Sequence, residues 1–219
     1  MQRRRTPVPL TTGSVRFGPT GSARSTAAGP TRVDRWERLA SEIHGCTLCA
    51  LSASRTHAVV YRGSLAPKVV FVGEAPGAEE DRQGIPFVGR SGAILDRAIA
   101  ALGTSLGPWG VLNLLKCRPP QNRFDPAAAR TCRPYLDRQL ALLRPDGLVS
   151  LGSRALAALD PTAPRVLLAA GRARVRPDGW LFPLIHPAAS LRSRRLSERW
   201  THDLEAFGAW LASGRSTTL

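Results

Sequence analysis

The chain has 219 residues, which suits one well-packed domain better than two, and 43% of the residues are hydrophobic. No segment approaches the roughly 20 apolar residues that a membrane-spanning helix needs, and the amino terminus lacks a compact apolar signal segment. We therefore expect a cytoplasmic protein without a membrane partner. Its 31 lysines and arginines exceed its 16 acidic residues and give a net charge of +15, which favours a polyanionic partner such as nucleic acid.

Residues 1–33 differ in composition from the rest of the chain. They contain six arginines, no acidic residue and little apolar periodicity, so we expect a flexible basic tail. The remaining residues, 34–219, are expected to form a single domain. They keep 25 basic and 16 acidic side chains, a net charge of +9, so the basic character belongs to the domain as well as to the tail.

Apolar runs and helix signals alternate along the domain. Amphipathic spacing and capping residues predict helices over residues 34–44, 93–102, 125–143, 154–159 and 193–211. Short apolar runs predict buried strands over residues 69–72, 109–115 and 148–151. Ser91 is the expected N-cap of the second helix, and Pro134 predicts an interruption of the third just after Cys132. A hairpin is expected over 166–185, turning at Pro177–Gly179. This alternation predicts an α/β sandwich with a mostly parallel sheet.

The segment from Gly73 to Gly89 follows the first predicted strand directly. Ligands of open α/β sheets bind at the carboxyl ends of such strands. The glycines of this segment allow the backbone to approach a ligand closely, and its prolines stiffen it so that its acidic and aromatic side chains stay in place. The sequence therefore predicts a pocket-forming loop here.

The four cysteines of the chain are Cys46, Cys49, Cys117 and Cys132. In a chain expected to be intracellular, a C-x2-C pair followed by two further cysteines is more typical of metal binding than of disulfides. Buried, inert cysteines are the alternative, but a C-x2-C pair beside a helix end is poor core patterning. Zinc and a four-iron cluster both accept four thiolates. The residues alone therefore predict a four-thiolate metal site and leave the metal open.

Taken together, these motifs resemble the family-4 uracil-DNA glycosylases, the iron–sulfur branch of the uracil-DNA glycosylase superfamily. The matching segments are Cys46–Cys49, Gly73–Gly77, Glu79–Gly84, Pro86–Gly92, Asn113–Pro120, Asn122–Arg123, Cys132–Leu136, Leu151–Gly152 and His186–Ala189. They occur in the order of the family and cover residues 34–210. The resemblance implies a three-layer α/β/α sandwich with a central, mostly parallel four-stranded sheet. It also implies a [4Fe–4S] cluster held by the four cysteines.

The same resemblance implies an enzyme of base excision repair. Such an enzyme flips uracil out of single- or double-stranded DNA and hydrolyses its N-glycosidic bond, leaving an abasic site. Phe87 would stack on the flipped uracil and Asn113 would read its edge. An asparagine amide can donate to O4 and accept from N3–H at once, whereas cytosine presents the reverse pattern. Glu80 would exclude the methyl group that thymine carries at C5.

Glu74 and His186 are the catalytic residues that the resemblance implies. His186 would donate a hydrogen bond to uracil O2 as negative charge develops there, and Glu74 would orient the attacking water and stabilise the cationic sugar. The loop after His186 would enter the minor groove. Leu191 or Arg192 would then fill the gap left by the flipped base, and neighbouring arginines would contact phosphates.

Two alternative functions are weighed against this hypothesis. A related branch of the superfamily becomes covalently trapped on uracil-containing DNA through a histidine in an extra basic loop, but residues 121–126 are short and contain no histidine. A non-catalytic, metal-stapled DNA-binding module would explain the basic charge and the cysteines, but not the polar residues at strand ends. We expect a nucleoid-associated monomer, with the basic tail as a candidate contact for a replication or repair protein.

Overall fold

The computed structural model describes residues 29–214. Within this range the helices are α1 Arg32–His44, α2 Ala78–Gln83, α3 Arg90–Leu102, α4 Pro126–Leu143, α5 Ser153–Leu159, α6 Val166–Ala169, α7 Pro187–Ser190 and α8 Arg194–Ala212. The strands are β1 Arg62–Gly63, β2 Val69–Gly73, β3 Trp109–Asn113, β4 Gly147–Leu151, β5 Arg174–Arg176 and β6 Gly179–Leu184. The predicted basic tail lies outside the described residues except for positions 29–33. None of the described helices is long and apolar enough to cross a membrane.

The strands form one sheet in the order β1-β3-β2-β4-β6-β5. The inner strands β3, β2, β4 and β6 are parallel, and β1 and β5 pair antiparallel at the two edges. The predicted α/β sandwich is confirmed, but the sheet contains six strands in the described residues, not four. The edge strand β1 has two residues, too few to leave a periodic signal, and the edge strand β5 is the first strand of the predicted hairpin.

Helices cover both faces of the sheet. On one face the strands pack against α3 and α8 through Phe71, Val111, Phe182, Leu95, Ile99, Phe207 and Trp210. On the other face they pack against α4 and α5 through Val70, Val72, Leu112, Leu148, Leu136, Leu143 and Leu156. The strands are therefore buried on both sides, as expected for parallel sheets, and only the strand ends are available to form a site.

Two helix starts differ from the sequence prediction. Helix α1 begins at Arg32 because Thr31 and Asp34 form a capping box, in which the Asp34 amide donates to Thr31 Oγ1 at 3.2 Å and the Thr31 amide donates to Asp34 Oδ2 at 2.8 Å. Helix α3 begins at Arg90, with Gly89 as its N-cap in place of the predicted Ser91. Both helices are consequently longer than their apolar periodicity indicates.

The predicted interruption of α4 at Pro134 is wrong. The helix begins as expected, with Asp125 Oδ1 accepting from the amides of Ala127 and Ala128 at 2.8 and 3.0 Å, but it continues through Pro134 to Leu143. A proline removes one hydrogen bond from the helix ladder. Leu136 and Leu143 on the apolar face of α4 are buried against the sheet, and the stabilisation from this burial outweighs the lost hydrogen bond.

The predicted hairpin is confirmed at its turn and corrected at its start. Strands β5 and β6 pair with Arg176 opposite Gly179, so Pro177 and Asp178 form a two-residue turn. Residues Val166–Ala169, which were assigned to the hairpin from sequence, form helix α6 instead. Strand β6 then leads directly to His186 at the edge of the sheet.

Candidate active site and cysteine centre

The four parallel strands end at one edge of the sheet, and a cavity of about 430 Å³ lies there. Its polar and aromatic wall consists of Glu74, Glu80, Phe87, Ser91, Asn113, Asn122, Ser153, His186 and Arg192. The structure therefore brings together every residue predicted to bind the base or to act in catalysis, together with Arg192. Leu191 is not part of the cavity wall but adjoins Arg192 and is 49% exposed.

Asn113 is the last residue of β3 and pairs in register with Gly73, the last residue of β2. Its side chain is almost completely buried, with 1% exposure. Neither its Nδ2 nor its Oδ1 has a hydrogen-bond partner among the described residues. Buried polar side chains are nearly always hydrogen-bonded. A buried amide that keeps both its donor and its acceptor unpaired in a cavity wall is therefore suited to a ligand edge with the complementary pattern.

Phe87 forms an aromatic wall beside Asn113. Its backbone φ is +55°, a conformation that bulky residues rarely adopt, and its ring stacks on the His186 imidazole with centroids 5.9 Å apart and planes inclined by 29°. A Cβ atom at Gly73 would lie 2.3 Å from Asn113 Oδ1 and 2.6 Å from Phe87 Cζ. Only glycine at this position leaves room for both side chains.

His186 is held in one tautomer by the start of α7. Its Nδ1 accepts a hydrogen bond from the Ala188 amide at 3.1 Å, so the proton of the neutral ring lies on Nε2. Burial, reinforced by the positive charge of Arg192, lowers the pKa of His186 to about 4. At neutral pH the cavity therefore contains an uncharged imidazole with an N–H group available to a ligand.

The two acidic residues of the cavity have different environments. Both carboxylate oxygens of Glu80 are occupied, because Oε2 accepts from the Gly77 amide at 3.0 Å and Oε1 from the Gly89 amide at 2.9 Å. Glu80 thereby ties Gly77 to Gly89 within the pocket-forming loop. Glu74 makes no side-chain hydrogen bond to another described residue, and burial raises its pKa, with Arg154 opposing the shift. Its carboxyl group is available to water or ligand.

The cavity also contains polar residues that were not predicted from sequence as site residues. Asn122 lies in a loop where both it and Gln121 have a φ of +56°, and its Oδ1 accepts from Arg118 Nε at 2.9 Å. Ser91 and Ser153 lie at the starts of α3 and α5. Asn122 falls in a motif of the family resemblance, but polar residues in irregular loops carry no periodic signal. Only the fold shows that they line the cavity.

A second, smaller cavity is lined by all four cysteines. None of the four forms a disulfide, and apolar residues, among them Leu51, Leu115 and Ala128, surround Cys117 and Cys132. The Arg55 guanidinium donates to Cys117 Sγ at 3.1 Å. Among the described residues, no group of three or more cysteine, histidine, aspartate or glutamate side chains is arranged to hold a single metal ion.

Lys116 lies between the two cavities. Its side chain is 2% exposed, and its Nζ donates to the backbone oxygen of Asn113 at 2.5 Å. Burial lowers the pKa of Lys116 to about 8, while Cys132 acts in the opposite direction. The burial of Lys116 is not expected from the sequence, because a lysine usually lies at the surface.

The fold and these two sites define an α/β sandwich with a polar cavity at the carboxyl edge of its sheet and a four-cysteine centre next to it. The family model described as the uracil DNA glycosylase superfamily matches residues 60–207. A type-4 uracil-DNA glycosylase of Thermotoga maritima is 36% identical over 170 residues, covering 75% of this chain and 87% of the relative. Enzymes with the same name from Saccharolobus solfataricus and Pyrobaculum aerophilum are also 36% identical, over 73% and 78% of this chain and 78% and 92% of the relatives. The chain belongs to the uracil-DNA glycosylase superfamily.

Proposed function

We propose that this protein is a uracil-DNA glycosylase of base excision repair, which flips uracil out of DNA and hydrolyses its N-glycosidic bond to leave an abasic site. The observation that carries the proposal is the buried amide of Asn113, whose donor and acceptor are both unpaired. The family membership of the chain and the printed name of its relatives, type-4 uracil-DNA glycosylase, support it.

Base recognition rests on Asn113 and Phe87. Uracil offers an acceptor at O4 beside a donor at N3–H, so Asn113 Nδ2 donates to O4 while Oδ1 accepts from N3–H. Cytosine has an amino group in place of O4 and an unprotonated N3 in place of N3–H. Asn113 Nδ2 would then face a donor, and Oδ1 would face an acceptor. The Phe87 ring stacks on the flipped base, and its contact with His186 keeps this wall in place.

His186 stabilises the leaving uracil anion. Bond cleavage places negative charge on uracil O2, and a preorganised donor at such a position is worth about 3 kcal/mol of transition-state stabilisation. The hydrogen bond from the Ala188 amide to Nδ1 directs the proton of the neutral ring to Nε2. Because the pKa of His186 is about 4, the group acts as a neutral hydrogen-bond donor at physiological pH.

Glu74 orients the attacking water and stabilises the positive charge that develops on the sugar. It follows β2 directly, lines the cavity and makes no side-chain hydrogen bond to another described residue. Glu80 has a more restricted role, since its two oxygens are held by Gly77 and Gly89. Its fixed position in the wall suits the exclusion of the methyl group at thymine C5.

The loop after α7 and the basic surface bind DNA. Arg192 lines the cavity and Leu191 is exposed beside it, so either side chain can occupy the gap that the flipped base leaves in the stack. The domain carries a net charge of +9 over residues 34–219, which favours phosphate contacts on single- or double-stranded DNA. We propose that the protein acts as a monomer.

Cys46, Cys49, Cys117 and Cys132 would hold a [4Fe–4S] cluster. Zinc and a four-iron cluster both accept four thiolates, and the resemblance of the motifs to the iron–sulfur branch of the superfamily, together with the type-4 relatives, favours the cluster. When bound, it supplies four iron–thiolate bonds that cross-link the segment after α1, the segment after β3 and helix α4.

Base release from defined oligonucleotides tests the proposed function. Iron-replete protein is incubated with single- and double-stranded DNA that contains one uracil, and with matched strands that carry cytosine or thymine at the same position. We expect alkali-labile abasic sites at uracil alone. Binding without base release would favour a non-catalytic DNA-binding module, and a covalent protein–DNA adduct would favour the trapping branch of the superfamily.

A further inference from the structure

Lys116 is the only lysine or arginine with a fully buried side chain among the described residues. Removing an ammonium group from water is costly unless acceptors or opposite charges surround it. The burial of this charge therefore requires partners inside the protein.

One partner belongs to the base pocket. Lys116 Nζ donates to the backbone oxygen of Asn113 at 2.5 Å, and the Lys116 carbonyl accepts from the Val59 amide at 2.7 Å. These bonds fix the turn that carries the chain from Asn113 to Cys117. Because a side chain follows its own backbone, the orientation of the Asn113 amide depends on this turn.

The other partner belongs to the cysteine centre. Lys116 lines the same small cavity as the four cysteines, and its ammonium group attracts the Cys132 sulfur, to which its backbone amide also donates. An ammonium group has three N–H donors, and the described residues supply one oxygen to it. A thiolate-bound cluster at this place would carry the negative charge that the buried ammonium needs.

We infer that Lys116 is a positioning residue that couples the two sites: it neutralises charge at the cysteine centre and holds the backbone of the residue that reads uracil. This inference rests on the proposed function, because it assigns the role of Asn113 to uracil recognition. Its consequence is that a change that acts through the Lys116 ammonium alters both the cysteine centre and uracil affinity, and that uracil binding alters the cysteine centre by the same coupling free energy.

Lys116→Met tests the coupling against Arg55→Met. Methionine keeps the apolar length of the side chain and removes the ammonium. Arg55 provides a matched comparison, because its guanidinium contacts Cys117 Sγ and the His44 carbonyl but no residue of the base cavity. Two properties are measured on each protein: iron and sulfide content, and affinity for an oligonucleotide with 2′-fluoro-2′-deoxyuridine, whose glycosidic bond resists cleavage.

We expect Lys116→Met to lower both iron retention and affinity for this oligonucleotide, each by about 10- to 100-fold, the usual effect of losing a group that orients metal ligands. Arg55→Met should lower iron retention, but its iron-loaded fraction should bind the fluorinated oligonucleotide with an affinity much closer to that of the wild type. Unchanged affinity in iron-loaded Lys116→Met, or a parallel loss of both properties in the two variants, would overturn the inference.

A measurement on the wild type covers the case in which Lys116→Met does not fold. The reduction potential of the cluster is recorded with and without saturating fluorinated oligonucleotide, and with an oligonucleotide that carries thymine in its place. Tenfold coupling corresponds to a difference of about 59 mV between the uracil and thymine strands. Equal potentials would contradict the inference, whereas failure of the wild type to release uracil would instead contradict the proposed function.

Discussion

The base cavity and the cysteine centre adjoin each other beyond the end of β3, yet they are built in opposite ways. In the cavity, a buried amide keeps its donor and acceptor unpaired, and Gly73 leaves room for Asn113 and Phe87. In the cysteine centre, apolar side chains pack closely, and Arg55 lies against a sulfur. A ligand that comes and goes requires polar groups that stay unpaired in its absence. A permanently bound group is instead surrounded by apolar side chains, held by several chain segments and neutralised by nearby opposite charge.

If the two regions have separate tasks, removing the His186 side chain should abolish chemistry and leave the cysteine centre intact. We expect His186→Ala to lower kcat about 100- to 1000-fold, as for the loss of one donor to a developing anion, with unchanged iron content. His202→Ala is the control, since the His202 side chain is 75% exposed on α8, and it should retain wild-type kcat. Loss of iron in His186→Ala would show that the regions are not separate.

Removing a thiol should disrupt the cysteine centre and, through it, weaken DNA binding. We expect Cys132→Ser to lose most of its iron and to lower DNA affinity about 10- to 100-fold, because Cys117 and Cys132 bracket the loop that contains the cavity residue Asn122. Iron analysis and fluorescence anisotropy on uracil-containing DNA measure the two effects. DNA affinity equal to that of the wild type would contradict a structural role of the centre at the DNA-facing surface.

The pH dependence of stability should report the buried imidazole. The pKa of His186 falls from 6.5 to about 4 on folding. Above pH 6.5 the imidazole is neutral in both states and its titration does not change the free energy of unfolding. Between pH 6.5 and 4 the unfolded chain binds a proton at His186 and the folded chain does not. Stability is therefore lost as the pH falls from 6.5 toward 4, by about 2 kcal/mol once solvent screening is allowed for. His186→Gln should remove this part of the slope in urea unfolding between pH 7 and 5. Equal slopes of unfolding free energy against pH in the wild type and in His186→Gln would contradict the lowered pKa of His186.

The space at the end of β2 predicts a smaller effect. Gly73→Ala forces a methyl group against Asn113 Oδ1 and the Phe87 ring, and we expect a loss of about 1–3 kcal/mol of stability together with weaker uracil release. Gly208→Ala makes the same change in α8, where the new atom meets only Leu102 Cδ2 at 3.3 Å, and it should be neutral or stabilising by up to about 1 kcal/mol. Equal unfolding free energies for the two variants would contradict the packing at Gly73.

The strands that carry the site could be predicted because burial on both faces leaves a continuous apolar run. The runs at Val69–Val72 and Trp109–Leu115 located the ends of β2 and β3 to within two residues. The placement of Glu74 and Asn113 followed from these ends, since parallel strands end at one edge of a sheet. Motifs shared with a known family supplied the roles proposed for them.

Features that depend on distant contacts could not be predicted in this way. Pro134 is tolerated in α4 because the face of that helix packs on the sheet, which the local sequence does not show. The Glu80 carboxylate accepts hydrogen bonds from the amides of Gly77 and Gly89, which are far apart in the loop, so its position in the wall depends on how the loop folds back. The burial of Lys116 depends on α4 bringing Cys132 next to β3.

The reaction of Asn113→Asp with uracil-containing DNA tests most directly whether the unpaired amide reads the base. The substitution keeps the size of the side chain and replaces the donor to uracil O4 with a second oxygen. We expect kcat/KM for uracil release to fall about 100-fold with iron content close to that of the wild type, measured below the unfolding temperature of the variant because a buried carboxyl group lowers stability. Wild-type kcat/KM in this variant would show that Asn113 does not read uracil.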